Sequence, residues 1–135
     1  MKTVTLGLEN FIARRQKEIT DGRLGLLCNP ASIASNFGHA KNLVQQAFPG
    51  QLTALFLPSM VFAEKQDNMI ESDDFLDTDL NIPVYSLYGA TRIPTAEMMD
   101  KIDTLIIDLM DAGTRVYTFT STVSYWKWPP HTTNR

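Results

Sequence analysis

Two short apolar runs, each cut off by a proline, constrain this chain more than any other feature. Arg23 to Cys28 ends in Asn29-Pro30, and Leu52 to Leu57 ends in Pro58. Proline has no N–H to give to a ladder, so each run reads as a buried strand that stops where its proline begins. Between them, Ala40 to Phe48 carries Leu43, Val44, Ala47 and Phe48 at helical spacing and stops at the Pro49-Gly50 turn signal. Strand, helix and strand in that order make a βαβ unit, the building block of parallel sheets.

The flanking segments extend this unit. Gly7 to Ile19 places Leu8, Phe11, Ile12 and Ile19 on one helical face, with Arg14, Arg15, Lys17 and Glu18 available for the wet one. Pro83 to Tyr88 is a short strand-like run; alternation sends Tyr85 and Tyr88 to opposite faces, one to the core and one to the rim. Pro94-Thr95-Ala96-Glu97 opens a helix with Thr95 as N-cap that ends by Ile102 or Asp103. Thr104 to Leu109 is an almost unbroken apolar strand, of the kind that parallel sheets cover on both faces. The expected fold class is therefore α/β, a Rossmann-like, mostly parallel sheet flanked by helices.

Composition excludes several functions. With 135 residues and 44% apolar content the chain holds enough for one core. A net charge of −3 gives no basic footprint, so no nucleic-acid partner is expected. No run approaches the roughly 20 apolar residues of a membrane span, and Met1 to Asn10 shows no signal-peptide core, which leaves the compartment open. The lone Cys28 sits inside an apolar strand and reads as a small core residue. Neither a dinucleotide fingerprint nor a phosphate-cradling P-loop occurs, so no cofactor is expected. Glu64 to Asp79 holds seven acids against one base but lacks the calcium-loop pattern, and is expected to be a solvated loop with no metal. His39 and His131 have no partner at ligand spacing and read as incidental.

Ligands in such sheets bind outside the carboxyl ends of the strands. On that rim the sequence places Asn29, Pro58 to Phe62, and Asp111-Ala112-Gly113-Thr114-Arg115-Val116-Tyr117. The last group combines a carboxylate, a flexible turn, a guanidinium and a phenol. Arg115 suits an anion gripped through paired donors, and Asp111 suits accepting from hydroxyls or shuttling a proton. An internal Asp111–Arg115 pair that ties down the loop accounts for the same spacing.

Three separated blocks then acquire a further meaning. Arg23 to Ser32, Pro83 to Gly89 with Thr91-Arg92, and Asp108 to Thr118, in this order, resemble the DUF1343 family, the exo-acting β-N-acetylmuramidases called NamZ. The resemblance spans about Gly7 to Ser124. It implies a Rossmann-like N-terminal domain (1–124, with a divergent polar tail at 125–135) that meets a second domain across a sugar cleft. It also implies hydrolysis of terminal N-acetylmuramic acid from peptidoglycan fragments. Asp111 would be the catalytic residue, and Asn29, Arg115 and Tyr117 the substrate-binding residues. The chain resembles only the first portion of the family, and Tyr125 to His131, with paired prolines, replaces an expected helix; both point to a truncated or frame-shifted product.

Two departures bear on activity. Where the family commonly has Pro-Glu-His-Gly or Pro-Gln-His-Gly, Pro58 is followed here by Ser59-Met60-Val61, and Met110 stands where a glutamine is usual. Whether the chain is itself an enzyme is therefore an open question, and the expectation for it alone is inactivity. A non-catalytic module that binds a carboxylated sugar or small anion, and a decayed remnant, are the alternatives. Expected partners are an N-acetylmuramic acid-type carbohydrate and a second copy through a bare sheet edge. Family members are often exported, whereas no leader is visible here.

Overall fold

A computed structural model describes residues 4–19, 21–58, 74–88, 92–115 and 117–126. In chain order the elements are α1 (Gly7–Arg15, continued by a 3-10 turn over Gln16–Glu18), β1 (Leu24–Cys28), α2 (Ala40–Ala47), β2 (Leu52–Leu57), β3 (Phe75–Asp77), β4 (Ile82–Ser86), α3 (Ala96–Met99), β5 (Thr104–Asp108) and α4 (Phe119–Ser124). The five strands form one sheet in the order β3-β4-β2-β1-β5. Strand β1 pairs parallel to both β2 and β5, β2 pairs parallel to β4, and β3 alone is antiparallel, to β4. This is the expected mostly parallel α/β sheet.

The alternation of strand residues divides the core between two faces. Leu24, Leu26 and Cys28 of β1 join Leu55, Leu57, Val84 and Ile106 under α1 and α2, where Leu8, Val44 and Phe48 close over them. On the other face Leu27, Ala54, Phe56 and Tyr85 meet Met98, Ile102 and Trp126. Helices therefore lie on both faces, as happens when successive right-handed crossovers run in opposite directions from a central strand. The register slips between Leu24 and Gly25, whose partners on β2 are Leu52 and Ala54. Thr53 occupies the slip and donates through its hydroxyl to the carbonyl of Lys101 at 2.8 Å. This bulge explains why Leu52 and Leu55, an odd number of residues apart, share one face.

Gly25 is required by packing. A Cβ there would lie 2.9 Å from Ile102 Cδ1 and 3.0 Å from Phe56 Cε2. Its absence lets the segment after α3 close onto the sheet. At the opposite end of the strands from the rim, Arg23 and Asp103 clasp β1 to β5. The Asp103 carboxylate accepts from the Arg23 guanidinium at 2.9 and 3.1 Å and from the Arg23 backbone N–H at 2.8 Å. The side-chain bond to Arg23, reinforced by the backbone one, holds the Asp103 pKa down at about 2.

Several expectations need correction. The acidic stretch is not wholly a solvated loop: Phe75–Asp77 is a strand, and half-buried Asp77 pairs with Lys41 of α2 at 2.7 Å. Burial opposes both charges, yet the hydrogen bond between them prevails, so Lys41 titrates above and Asp77 below its ordinary range. The rest of that stretch, Glu64 to Asp73, lies outside the described residues. Strand β5 is not covered on both faces. Among the described residues it is an edge strand with Ile107 46% exposed, because the chain returns to the far side of β1. Helix α3 is only Ala96–Met99, although Thr95 does cap it by accepting from the Met98 N–H. Tyr85 is buried and Tyr88 exposed, but β4 ends at Ser86, so Tyr88 owes its exposure to lying beyond the strand rather than to alternation. Cys28 is fully buried, and burial pushes its thiol up to about 12, which makes it a core residue rather than a reactive one.

Two outcomes are expected. Gly25→Val overpacks the contact with Ile102 and Phe56 and lowers unfolding free energy in urea by about 1–3 kcal/mol. The second concerns acid. A carboxyl whose folded pKa is depressed stabilises the fold above its unfolded pKa, and that contribution is lost as pH falls through the folded value. Asp103→Asn therefore removes the part of the acid destabilisation that falls between the ordinary 3.8 and about 2, read from urea midpoints against pH.

Candidate functional site

Strand order places a switch point between β1 and β5. The chain runs from β1 to β2 and outward to β4, then comes back to lie on the other side of β1. At such a point the segments leaving neighbouring strands depart toward opposite faces, and the space between them is where α/β sheets ordinarily take ligands. Side chains bridge it. Asn29, 2% exposed, donates through Nδ2 to the Met110 carbonyl at 2.9 Å. The Ser32 hydroxyl lies 2.5 Å from the Asp108 carbonyl and 3.1 Å from Asn29 Oδ1, and accepts from the Asn29 backbone N–H at 3.0 Å.

His39 completes this arrangement and is not incidental. It is the N-cap of α2, where Nδ1 accepts from the Lys41 N–H at 3.2 Å, so the ring proton lies on Nε2, 3.0 Å from the Asn29 carbonyl. His131, by contrast, lies outside the described residues, as do Ser59 to Phe62 of the expected rim; Pro58 is buried at the end of β2. Beyond Asn29 the chain folds into a small hairpin, with Ile33 bridged to His39 and Phe37 at its tip in the left-handed region.

The expected site residues occupy different environments. Asn29 is internal, and its amide is engaged by the β5 exit. Asp111 accepts from the Gly113 N–H through Oδ1 at 2.7 Å, a turn that Gly113 permits with φ at 69°. Its Oδ2 is buried and has no hydrogen-bond partner among the described residues. Arg115 and Tyr117 are exposed, and Tyr117 packs its ring against Phe119 at 5.7 Å. No hydrogen bond or ion pair among the described residues joins Asp111 to Arg115. The internal pair allowed by the spacing is not formed, and the guanidinium is available.

A cavity of about 120 Å³ lies beside this group, between the N-terminus of α1 and the exits of β1 and β5. Two carboxyl groups line it. Glu9 accepts from the Leu6 N–H at 2.9 Å and from the backbone and hydroxyl of Ser35. The Ser35 hydroxyl bond, with the two backbone ones, holds its pKa below the ordinary carboxylate range. Asp108 has no partner of this kind among the described residues. Burial raises its pKa, with the nearby His39 ring opposing the shift.

Residues 24–127 match the family described as exo-β-N-acetylmuramidase NamZ, N-terminal. The chain belongs to this family. It is 33% identical over 122 residues to the peptidoglycan β-N-acetylmuramidase NamZ of Bacillus subtilis (strain 168), covering 90% of this chain and 30% of that protein. The crystal structure of a DUF1343 family protein from Bacteroides fragilis superposes with a TM-score of 0.72 at 30% identity, over 90% of this chain and 30% of that one. A second DUF1343 protein from the same organism gives a TM-score of 0.69 at 22% identity, covering 93% of this chain and 31% of its own, and shares the fold. The chain thus spans about 30% of the length of these relatives.

In this NamZ N-terminal domain the sequence reading singled out Asn29, Asp111, Arg115 and Tyr117 but passed over Glu9 and Asp108. Both left a signal. Glu9 stands three residues after Leu6, where a carboxylate reaches back to the first backbone N–H of a helix. Asp108 continues the alternation Thr104, Ile106 toward α1, so a carboxylate stands where an apolar residue is ordinary.

Removing the amide that holds the β5 exit has a defined cost. Asn29→Ala leaves the Met110 carbonyl without its partner and is expected to lower stability by about 1–3 kcal/mol. Combined with Ser32→Ala the losses are less than additive, because the two side chains share one network. Urea unfolding of the double-mutant cycle checks this.

Proposed function

We propose that this chain is the saccharide-binding N-terminal part of a peptidoglycan β-N-acetylmuramidase, and that the crevice between the β1 and β5 exits receives a terminal N-acetylmuramic acid unit. The observation that carries this reading is the membership of residues 24–127 in the NamZ N-terminal family, together with a guanidinium and one carboxylate oxygen, beyond β5 at the switch point, that have no partner among the described residues. Arg115 takes the lactyl carboxylate through paired donors. Tyr117 offers a phenol to ring hydroxyls, and Asp111 turns its unpartnered oxygen to a hydroxyl or a transferred proton. Asn29 contributes by holding the Met110 carbonyl, and thereby the loop that carries Asp111, in place.

Hydrolysis of a glycosidic bond ordinarily uses two carboxyl groups flanking it. Ser59 and Met60 cannot serve as general acid or base, and in this reading the chain by itself binds the sugar without cleaving it. The sheet edge at β5, with Ile107 exposed, is the surface through which a second copy would pair.

Calorimetric titration with N-acetylmuramic acid tests the reading. Wild-type chain is expected to bind, and Arg115→Ala to weaken binding about tenfold or more, the worth of a charge-assisted bond. Equal binding by both proteins would remove Arg115 from the site. A chromogenic N-acetylmuramic acid glycoside is expected to stay intact with the isolated chain, and steady release of chromophore would overturn the expectation of inactivity.

A further inference from the structure

The cavity between α1 and the β5 exit is too small to hold a whole sugar. Pockets that enclose a complete ligand measure roughly 300–1,000 Å³, against about 120 Å³ here. It is large enough for one substituent. Its walls are mixed: Leu8 and Ala34 supply apolar surface, while Glu9, Ser32 and Asp108 supply polar atoms. Ser32 and Glu9 are already engaged, the one by Asn29 and Asp108 and the other by Leu6 and Ser35. The side chain of Asp108 has no hydrogen-bond partner among the described residues.

We infer that this cavity is a subsite for the acetamido arm of an N-acetylated saccharide, with the Asp108 carboxyl group as its polar anchor. The chemistry selects this arm over the other substituents of the same sugar. Two acidic side chains line the cavity, so the lactyl carboxylate is repelled and goes to Arg115. A hydroxymethyl group would leave the apolar wall unfilled. An acetamide brings a neutral N–H donor for Asp108 and a methyl group for Leu8 and Ala34. The inference rests on the saccharide reading above and adds to it the residue that reads the N-acyl group.

The test compares N-acetylmuramic acid with 3-O-lactyl glucose, in which a hydroxyl replaces the acetamide, by calorimetry and by amide chemical-shift mapping of the full chain. N-acetylmuramic acid is expected to bind about tenfold more tightly and to shift the Ala34 and Leu109 amides, which the hydroxyl analogue leaves in place. Asp108→Asn, whose shape is conserved and whose fold the amide spectrum verifies, is expected to weaken only the N-acetylated sugar. Equal affinity for the two sugars, or an unchanged preference in Asp108→Asn, overturns the subsite while leaving the saccharide reading intact. If neither sugar binds, acetamide alone separates the two: shifts confined to Ala34 and Leu109 support the cavity and discard the saccharide, and no shifts discard both.

Discussion

Across the switch point, Asn29 and Ser32 reach from the end of β1 to the carbonyls of Met110 and Asp108, and the candidate site depends on that bridge. The parallel ladder between β1 and β5 ends at the pair Cys28 and Asp108, so backbone bonds cannot set the geometry beyond it. Carbonyls at such a place must find side chains or water. Here they find a buried amide and a buried hydroxyl, and the Asn29 carbonyl is itself held by the capping residue of α2. The loop that presents Asp111 and Arg115 is thereby tied to the core of the sheet.

The same arrangement separates charges by role. At the closed end of the strands, Arg23 and Asp103 satisfy each other; under α2, Lys41 and Asp77 do the same. At the open end the pattern changes. Among the described residues Arg115 and one oxygen of Asp111 have no partner, and burial raises the Asp108 pKa, all at the end of β5 or just beyond it. Perturbed or unsatisfied groups concentrated at one strand exit make it the candidate for a ligand site, whereas paired ones elsewhere serve the fold.

Local chemistry made much of this legible from sequence. The proline-terminated runs at Asn29-Pro30 and Pro58 marked β1 and β2 because a proline after an apolar run has no N–H with which to extend a ladder, although Pro83 sits within β4 opposite Leu76, and the apolar spacing of α2 needed no tertiary information. Strand order was not legible in the same way. Nothing local to Thr104–Asp108 distinguishes an edge strand from a central one, since both read as apolar runs, and the exposure of Ile107 follows only from where the chain returns. Strand β3 was hidden by its acids, whose cost is met by a lysine far away in the sequence. His39 looked isolated for a related reason: its partners are a backbone N–H and a backbone carbonyl, which no side-chain spacing reveals. Asp111 and Arg115 were found by composition, but that they do not pair with each other is a fact of geometry alone.

A crystal structure of this chain with N-acetylmuramic acid tests the central claim most directly. The account predicts the sugar in the crevice between the β1 and β5 exits, its carboxylate on Arg115 and its ring against Tyr117. Sugar density in the groove of about 270 Å³ formed by Ile93, Pro94, Met99, Tyr125 and Trp126, on the α3 and α4 side of the sheet, with the crevice empty, would contradict it.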